Sequence, residues 1–121
     1  MEQLRLGMVE SRFADIIWEN APLSTKELVA LCAQQLNWKR TTTYTVLKKL
    51  CDRGIFATEN GTVTVRYSKE EFHAICCEEF VNKNFQGSLP AFIAAFTTRK
   101  TLSEAELEQI KALVADIEES K

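Results

Sequence analysis

Histidine is nearly missing from this 121-residue chain. The single copy, His73, has no serine or carboxylate neighbour at a spacing that would suggest a catalytic triad. The sequence also lacks the GxGxxG and GKS/T signatures of phosphate-binding loops and the HExxH signature of zinc hydrolases. We therefore expect a protein that is not an enzyme and that uses no cofactor.

Apolar runs long enough to cross a membrane are missing as well. The longest apolar runs in the sequence fall far below the roughly 18 residues that a membrane-spanning helix needs. The first residues, MEQLRLGMVESRF, contain no secretory apolar segment. The four cysteines, Cys32, Cys51, Cys76 and Cys77, form neither a CxxC pair nor a dense disulfide framework. Reduced thiols are typical of the cytosol, so we expect a cytoplasmic protein without direct membrane insertion.

Charge is distributed unevenly along the chain. The net charge of −2 and the content of 45% apolar and 26% charged residues are ordinary for one globular domain, or one domain with a small appendage. Residues 1–69 carry ten Lys and Arg against seven Asp and Glu, whereas residues 70–121 carry five against ten. Positive charge is densest in residues 39–53, which hold five basic residues and one acid. The N-terminal half is therefore the candidate for binding a polyanion.

The segment from Trp38 to Gly54, WKRTTTYTVLKKLCDRG, is the most informative part of the sequence. At 3.6 residues per turn, Val46, Leu47 and Leu50 share one side of a helix, while hydroxyl and cationic side chains gather on another. Such a helix suits a DNA groove, because Lys and Arg neutralise phosphates while Thr and Tyr donate to phosphates or touch base edges. The predicted DNA contacts, with both arginines on the phosphate backbone, are Lys39, Arg40, Thr41, Thr42, Tyr44, Thr45, Lys48, Lys49 and, from the hairpin described next, Arg66.

Three predicted helices and a hairpin make up residues 1–68. The first helix spans 8–20, and Ser24 and Glu27 form a capping box that starts the second, which runs to about residue 35. After the helix that Gly54 ends, strands at 55–59 and 62–67 flank Asn60-Gly61, the dipeptide best suited to a type I′ turn. This order predicts a mainly α fold with a small β-ribbon, a winged helix-turn-helix domain over residues 1–68.

Three further helices are predicted after it, at about 69–84, 91–98 and 104–119, with Ser68 and Ser103 as caps of the first and last. Such short amphipathic helices enclose little core alone, and pairing with the same segment of a second copy would cover their apolar faces. We therefore expect residues 69–121 to be a helical dimerisation domain. The residues assigned to its interface are Phe72, Ile75, Phe80, Phe92, Phe96, Leu107, Ile110 and Val114.

In this arrangement the chain resembles the penicillinase-repressor family over nearly its whole length. The matching pieces, in order, are IIW at 16–18, TKELV at 25–29, the helix pattern from Trp38 to Gly54, the NG turn closing on Tyr67, FQGSL at 85–89 and LSEAEL at 102–107. The resemblance implies a homodimeric transcriptional repressor that binds a palindromic operator in double-stranded DNA through its winged domain.

The resemblance also implies a way in which repression can end. In one branch of the family, a pathway that starts at a membrane sensor protease leads to cleavage of the repressor in its dimerisation region, and the matching bond here is Ala95–Phe96. The family usually has Asn at the position of Ala95. A copper-sensing branch carries a C-terminal CxC cluster, which this chain lacks because no cysteine follows Cys77.

Two alternatives stay open at this point. His73, Cys76 and Cys77 stand at i, i+3 and i+4, a spacing from which imidazole and thiolates could bind zinc or copper(I) in a metal- or thiol-responsive regulator. The competing interpretation, which we favour, assigns no metal, packs Cys76 in the dimer interface as a small apolar residue and leaves His73 facing water. Alternatively, the winged domain could be an adaptor that binds another protein and no DNA, with residues 39–49 forming only a solvated basic face.

Overall fold

A computed structural model describes residues 6–120 of the chain. These residues are mainly helical and include one small antiparallel sheet, which confirms the predicted fold class. The elements, in chain order, are α1 (Met8–Asn20), β1 (Leu23–Ser24), α2 (Thr25–Leu36), α3 (Arg40–Asp52), β2 (Phe56–Glu59), β3 (Thr62–Val65), α4 (Lys69–Phe85), α5 (Leu89–Arg99) and α6 (Glu104–Glu119).

Serine side chains cap the start of α2, α4, α5 and α6. In each case the Oγ of Ser24, Ser68, Ser88 or Ser103 accepts the N–H of the third residue of the helix at 3.0–3.1 Å. In α2, α4 and α6 the third residue is a glutamate, and its carboxylate accepts a hydrogen bond from the N–H of the serine. The capping boxes predicted at Ser24 and Ser103 are therefore confirmed, and these sequence signals place the helix starts correctly.

The apolar faces of α1, α2 and α3 close over the sheet to form one core. The rings of Phe13 and Trp38 stack with their centroids 5.4 Å apart, and Trp18 meets Phe56 edge-on at 5.5 Å. Burying each large apolar side chain stabilises the fold by roughly 1.5–3 kcal/mol relative to leaving it in water. Large side chains that are almost completely buried here are Phe13, Ile17, Leu28, Leu50, Ile55, Phe56 and Val63.

The sheet contains a strand that the sequence did not predict. Instead of a two-stranded ribbon, three antiparallel strands lie in the order β1-β3-β2, with Leu23 opposite Val63. Beyond the sheet, the Thr25 N–H donates to the Gly61 carbonyl at 2.9 Å. The start of α2 is thereby tied to the tip of the hairpin β2–β3, which we call the wing.

Positive backbone angles shape the wing and the end of α3. Asn60 and Gly61 have φ values of 53° and 76°, as the predicted type I′ turn requires. Gly54, with φ of 82°, follows α3, and the next N–H, from Ile55, donates to the Leu50 carbonyl at 3.1 Å. This is the hydrogen bond of a Schellman motif, so the prediction that Gly54 ends the helix is confirmed.

Compact packing divides the chain inside α4, between Glu79 and Phe80, later than the boundary expected at residues 68 and 69. The reason lies in Phe72, which is 4% exposed and packs against Trp18 with ring centroids 5.5 Å apart. The assignment of Phe72 to a dimer interface is corrected accordingly, because its side chain belongs to the core of the first unit. Lys69 supports the same docking through an ion pair with Asp15, at 2.9 Å.

The second unit, which begins at Phe80, has little interior of its own. Phe92 contacts the rings of Phe80, Phe85 and Phe96 at centroid distances of 5.6–6.2 Å. Around this small aromatic cluster most large apolar side chains remain in contact with water. The exposed ones in this unit are Phe80, Leu89, Ile93, Phe96, Leu107, Ile110, Leu113, Val114 and Ile117.

Candidate nucleic-acid interface

Helix α3 is amphipathic in the way that the sequence predicted. Thr43, Leu47 and Leu50 are buried in the core and Val46 is half-buried beside it, which turns the opposite side of the helix to solvent. The predicted contact residues that this places at the surface are Lys39, Arg40, Thr41, Thr42, Thr45, Lys48 and Lys49, with Tyr44 half-buried at the margin.

The threonines of α3 differ in what their hydroxyls can do. Thr43 is fully buried, and its Oγ1 donates to the Lys39 carbonyl at 3.3 Å, so it serves the fold. Thr45 is exposed, and its Oγ1 donates to the Thr41 carbonyl at 2.8 Å. Two exposed hydroxyls, those of Thr41 and Thr42, lie in the first turn of the helix, where uncapped N–H groups and the helix dipole attract anions.

Tyr44 joins α3 to the start of α2. The pKa of its phenol is lowered, first by a hydrogen bond with the Thr25 side chain and further by the positive charges of Arg40 and Lys26. The Arg40 guanidinium carbon lies 5.5 Å from the centre of the Tyr44 ring, within the range of a cation–π contact. Thr25, Lys26, Arg40 and Tyr44 therefore form one polar and cationic cluster across the two helices.

The contribution of α2 to this cluster was not predicted from the sequence. Thr25 and Lys26 occupy the first two positions of α2 after the Ser24 cap. Helix N-termini favour phosphate, and a lysine there adds a full positive charge. The capping box marks both residues as the start of a helix, where N–H groups attract anions. That this start lies beside α3 depends on how the two helices pack.

Carboxylates accompany the cations in the last turn of α3. Lys48 pairs with Asp52 at 3.1 Å, and both side chains are largely exposed. Lys49 pairs with Glu10 of α1 at 2.9 Å, and Arg53 approaches the same carboxylate at 3.8 Å. The hydrogen bond from Lys49, followed by that from a backbone N–H, lowers the pKa of Glu10. The positive charge predicted for this end of α3 is thus partly neutralised within the molecule.

Arg66 lies at the base of the wing and not at its tip. It follows β3 directly, and its N–H donates to the Ile55 carbonyl at 3.1 Å, where the hairpin leaves the core. The tip is formed by Glu59, Asn60 and Gly61, which bring no positive charge. Arg66 is exposed and remains available to an external partner from this lower position.

A groove of about 450 Å³ separates α3 from the wing. Its walls combine hydroxyls, an ion pair and a few apolar groups, and Lys48 is the exposed contact residue of α3 that lines it. The lining residues are Thr25, Tyr44, Leu47, Lys48, Cys51, Asp52, Thr58 and Gly61.

The candidate metal ligands are not brought together. Between residues 6 and 120, no group of three or more His, Cys, Asp or Glu side chains is arranged to hold a metal ion, and this includes His73, Cys76 and Cys77. Cys76 packs partly against the core, and burial raises the pKa of its thiol, whereas His73 and Cys77 are exposed.

The bond matched to the family's cleavage position lies inside α5. Ala95 is exposed, and Phe96 is 47% exposed while it also contacts Phe92. Their backbone is helical on both sides of the bond. No helix in residues 6–120 combines the length and the apolar character needed to cross a membrane.

Comparisons with known proteins agree with this architecture. The family model described as penicillinase repressor matches residues 6–116. The methicillin resistance regulatory protein MecI of Staphylococcus aureus strain Mu50 is 20% identical over 113 residues, which cover 90% of this chain and 92% of that protein. This chain therefore belongs to the penicillinase repressor family, a family of transcriptional repressors.

Proposed function

We propose that this repressor binds a palindromic operator in double-stranded DNA as a homodimer, with α3 of each copy in a major groove. The observation that carries the proposal is the solvent-facing side of α3, where cations and hydroxyls replace the apolar residues of its buried side. It is extended by Thr25 and Lys26 at the start of α2. Membership of the repressor family supports the same assignment and a role that does not involve catalysis.

Different residues of this surface have different roles in the proposed complex. The major groove is wide enough for a helix, and recognition helices read base edges mainly with their N-terminal residues. Thr41, Thr42 and Thr45 are accordingly the base-reading set. Lys26, Lys39 and Arg40 bind phosphates, which position the protein without reading sequence. Tyr44, held by Thr25, supports the Arg40 side chain and can donate its hydroxyl to a phosphate.

Dimerisation is proposed from the second unit. Its exposed side chains include Leu107, Ile110, Leu113, Val114 and Ile117, which recur every three or four residues along α6. A stripe of this kind loses its contact with water when it packs on an identical stripe related by twofold symmetry. A second copy also supplies the second α3 that a palindromic site requires.

Binding to DNA selected from the source genome tests the proposal. Fragments retained by the protein should contain inverted repeats, and affinity should fall steeply with salt because lysines and arginines displace cations from phosphates. Arg40→Ala should reduce the slope of log K against log salt by about one. Lys111→Ala, which removes the same charge from α6, is the matched control and should leave the slope unchanged.

Retention of no DNA, together with capture of a protein, would instead identify the winged unit as an adaptor.

A repressor that acts on chromosomal operators works in the cytoplasm, so the protein should co-purify with the nucleoid of gently lysed cells. Recovery of the protein only from an extracellular or membrane fraction would contradict the proposal.

We further propose that repression is relieved by cleavage at Ala95–Phe96, downstream of a membrane sensor protease. Both residues are exposed, and the bond lies between the winged unit and α6, so cleavage would separate DNA binding from much of the dimer surface. Because proteases bind extended chains, α5 must open locally before the bond can be cut. Co-expression with the sensor and its inducer should yield fragments ending at Ala95 and beginning at Phe96. Derepression with only the full-length mass present would rule this route out.

A further inference from the structure

The cations at the two ends of α3 have different surroundings. At its beginning, Lys39 and Arg40 form no ion pair with a carboxylate of residues 6–120. In its last turns, Lys48 and Lys49 are both paired, with Asp52 and with Glu10. A surface that only attracted phosphates would bind them more tightly if all of these cations were unpaired.

The position of Asp52 is not explained by the stability of its own helix. A carboxylate in the last turn of a helix faces the negative end of the helix dipole, which is unfavourable. The order Lys48 then Asp52 is also the less favourable orientation of an i,i+4 ion pair. Asp52 is exposed, and its side chain lines the groove between α3 and the wing together with that of Lys48. What distinguishes Asp52 is therefore its pairing with Lys48 at the wall of this groove.

We propose, resting on the proposed DNA binding, that Asp52 limits the sequence-independent affinity of this protein for DNA. In the free protein the Asp52 carboxylate forms an ion pair with the Lys48 ammonium. On binding, a phosphate replaces the carboxylate at Lys48, and the released Asp52 takes up a cation from solution. The cation lost by DNA at this phosphate is offset by the one gained at Asp52, so Lys48 adds little to the salt-dependent part of the affinity.

This exchange matters because a repressor searches for its operator among a large excess of other sites. Sequence-independent binding depends almost entirely on contacts with phosphates. Lowering it frees the protein from bulk DNA, while base contacts from the beginning of α3 still hold it on the operator. Asp52 thereby sets how tightly the protein holds any DNA, and the threonines set which DNA it prefers.

The salt dependence of the Asp52→Asn variant tests the inference. It should bind both a selected operator fragment and a scrambled fragment about fivefold to tenfold more tightly at roughly 0.1 M salt, with a slope about 0.9 steeper. Asp116→Asn makes the same chemical change on α6 and should alter neither quantity. Thermal unfolding of each variant shows whether its fold is retained.

A double-mutant cycle tests whether the effect passes through Lys48. In a Lys48→Ala background, Asp52→Asn should no longer tighten binding or steepen the slope. The reason is that this background lacks the Lys48 ammonium, which the substitution of Asp52 would otherwise free for a phosphate. Binding by the unchanged protein with no tightening in Asp52→Asn would overturn this inference and leave the proposed function intact. Equal tightening with and without Lys48 would also overturn it. If the unchanged protein binds no DNA, the proposed function fails and this inference fails with it.

Discussion

The indole N–H of Trp18 donates a 2.9 Å hydrogen bond to the main-chain carbonyl of Tyr67. The bond joins the last turns of α1 to the chain as it leaves β3 and approaches α4. The same indole contacts Phe56 in β2 and Phe72 in α4, each at a centroid distance of 5.5 Å. One side chain of the first helix thus positions the sheet, the end of the wing and the first turns of α4.

Replacing Trp18 with Phe should weaken the fold without changing the surface proposed to contact DNA. Phenylalanine keeps one aromatic ring but fills less volume, and the carbonyl of Tyr67 loses its donor in a partly buried position, so the loss should be at least about 1–2 kcal/mol. Chemical denaturation of the two proteins measures the difference. Tyr67→Phe is the matched control, since the acceptor is the main chain, and it should leave the free energy of unfolding nearly unchanged. Equal losses in both variants would contradict this account of the bond.

Removing the hydroxyl should affect stability at Thr43 and sequence preference at its neighbour Thr42. Thr43→Val keeps the volume of a buried side chain but loses the bond to the Lys39 carbonyl, and it should cost about 1 kcal/mol of stability with the sequence preference unchanged. Thr42→Val alters an exposed residue and should change which operator variants bind, with stability within about 0.5 kcal/mol of the unchanged protein. Denaturation combined with binding to a randomised operator library measures both. Identical binding profiles for Thr42→Val and the unchanged protein would remove Thr42 from the base-reading set.

Placing a charge on the apolar stripe of α6 should separate the dimer. Ile110→Asp puts a carboxylate where an apolar contact is proposed, and it should shift the protein to monomers and lower the affinity for a palindromic operator by at least about tenfold. Ala112→Asp adds the same charge on the opposite side of the helix, so it should leave the dimer intact. Sedimentation equilibrium gives the mass of each variant. Dimers that persist in Ile110→Asp would exclude α6 from the interface.

Stability should depend on pH through Glu10. Its carboxylate is held by Lys49 and by the Gly7 N–H, which lower its pKa below the ordinary value of 4.5. Since the folded pKa is the lower one, the stabilisation is complete above about pH 4.5 and is lost as the pH falls through the folded value. Glu10→Gln should therefore be less stable than the unchanged protein at pH 7, by about 1 kcal/mol, and the two should converge in acid. A difference that stays constant from neutral pH to pH 2 would show that the carboxylate charge is not responsible.

Local signals in the sequence were sufficient for most element boundaries. The residues of α1, the serine caps and the turn at Asn60-Gly61 are encoded within a few neighbouring positions, because capping and positive φ depend on side chains that act over one turn. The strand β1 escaped prediction because it has only two residues and exists through pairing with β3, far along the chain. Pairing over that distance has no local pattern.

In the candidate interface, too, local features could be predicted from the sequence, whereas those that depend on the packing of distant elements could not. Periodicity identified which side of α3 faces solvent, since Leu47 and Leu50 mark the buried side. It did not show that Glu10, on another helix, neutralises Lys49, because ion pairs between helices depend on how the helices pack. Phe72 illustrates the limit for apolar residues: its spacing showed that it would be covered, and only the fold shows that Trp18 covers it.

The bond from the Thr45 hydroxyl to the Thr41 carbonyl fixes the polarity of one member of the proposed base-reading set. With its hydrogen already spent on the helix, Thr45 presents lone pairs and a methyl group. It can receive a hydrogen from the exocyclic amine of adenine or cytosine, or touch the methyl of thymine, but it has nothing to give to the oxygen and nitrogen of guanine. Operator positions facing Thr45 should therefore disfavour guanine on the strand that it approaches.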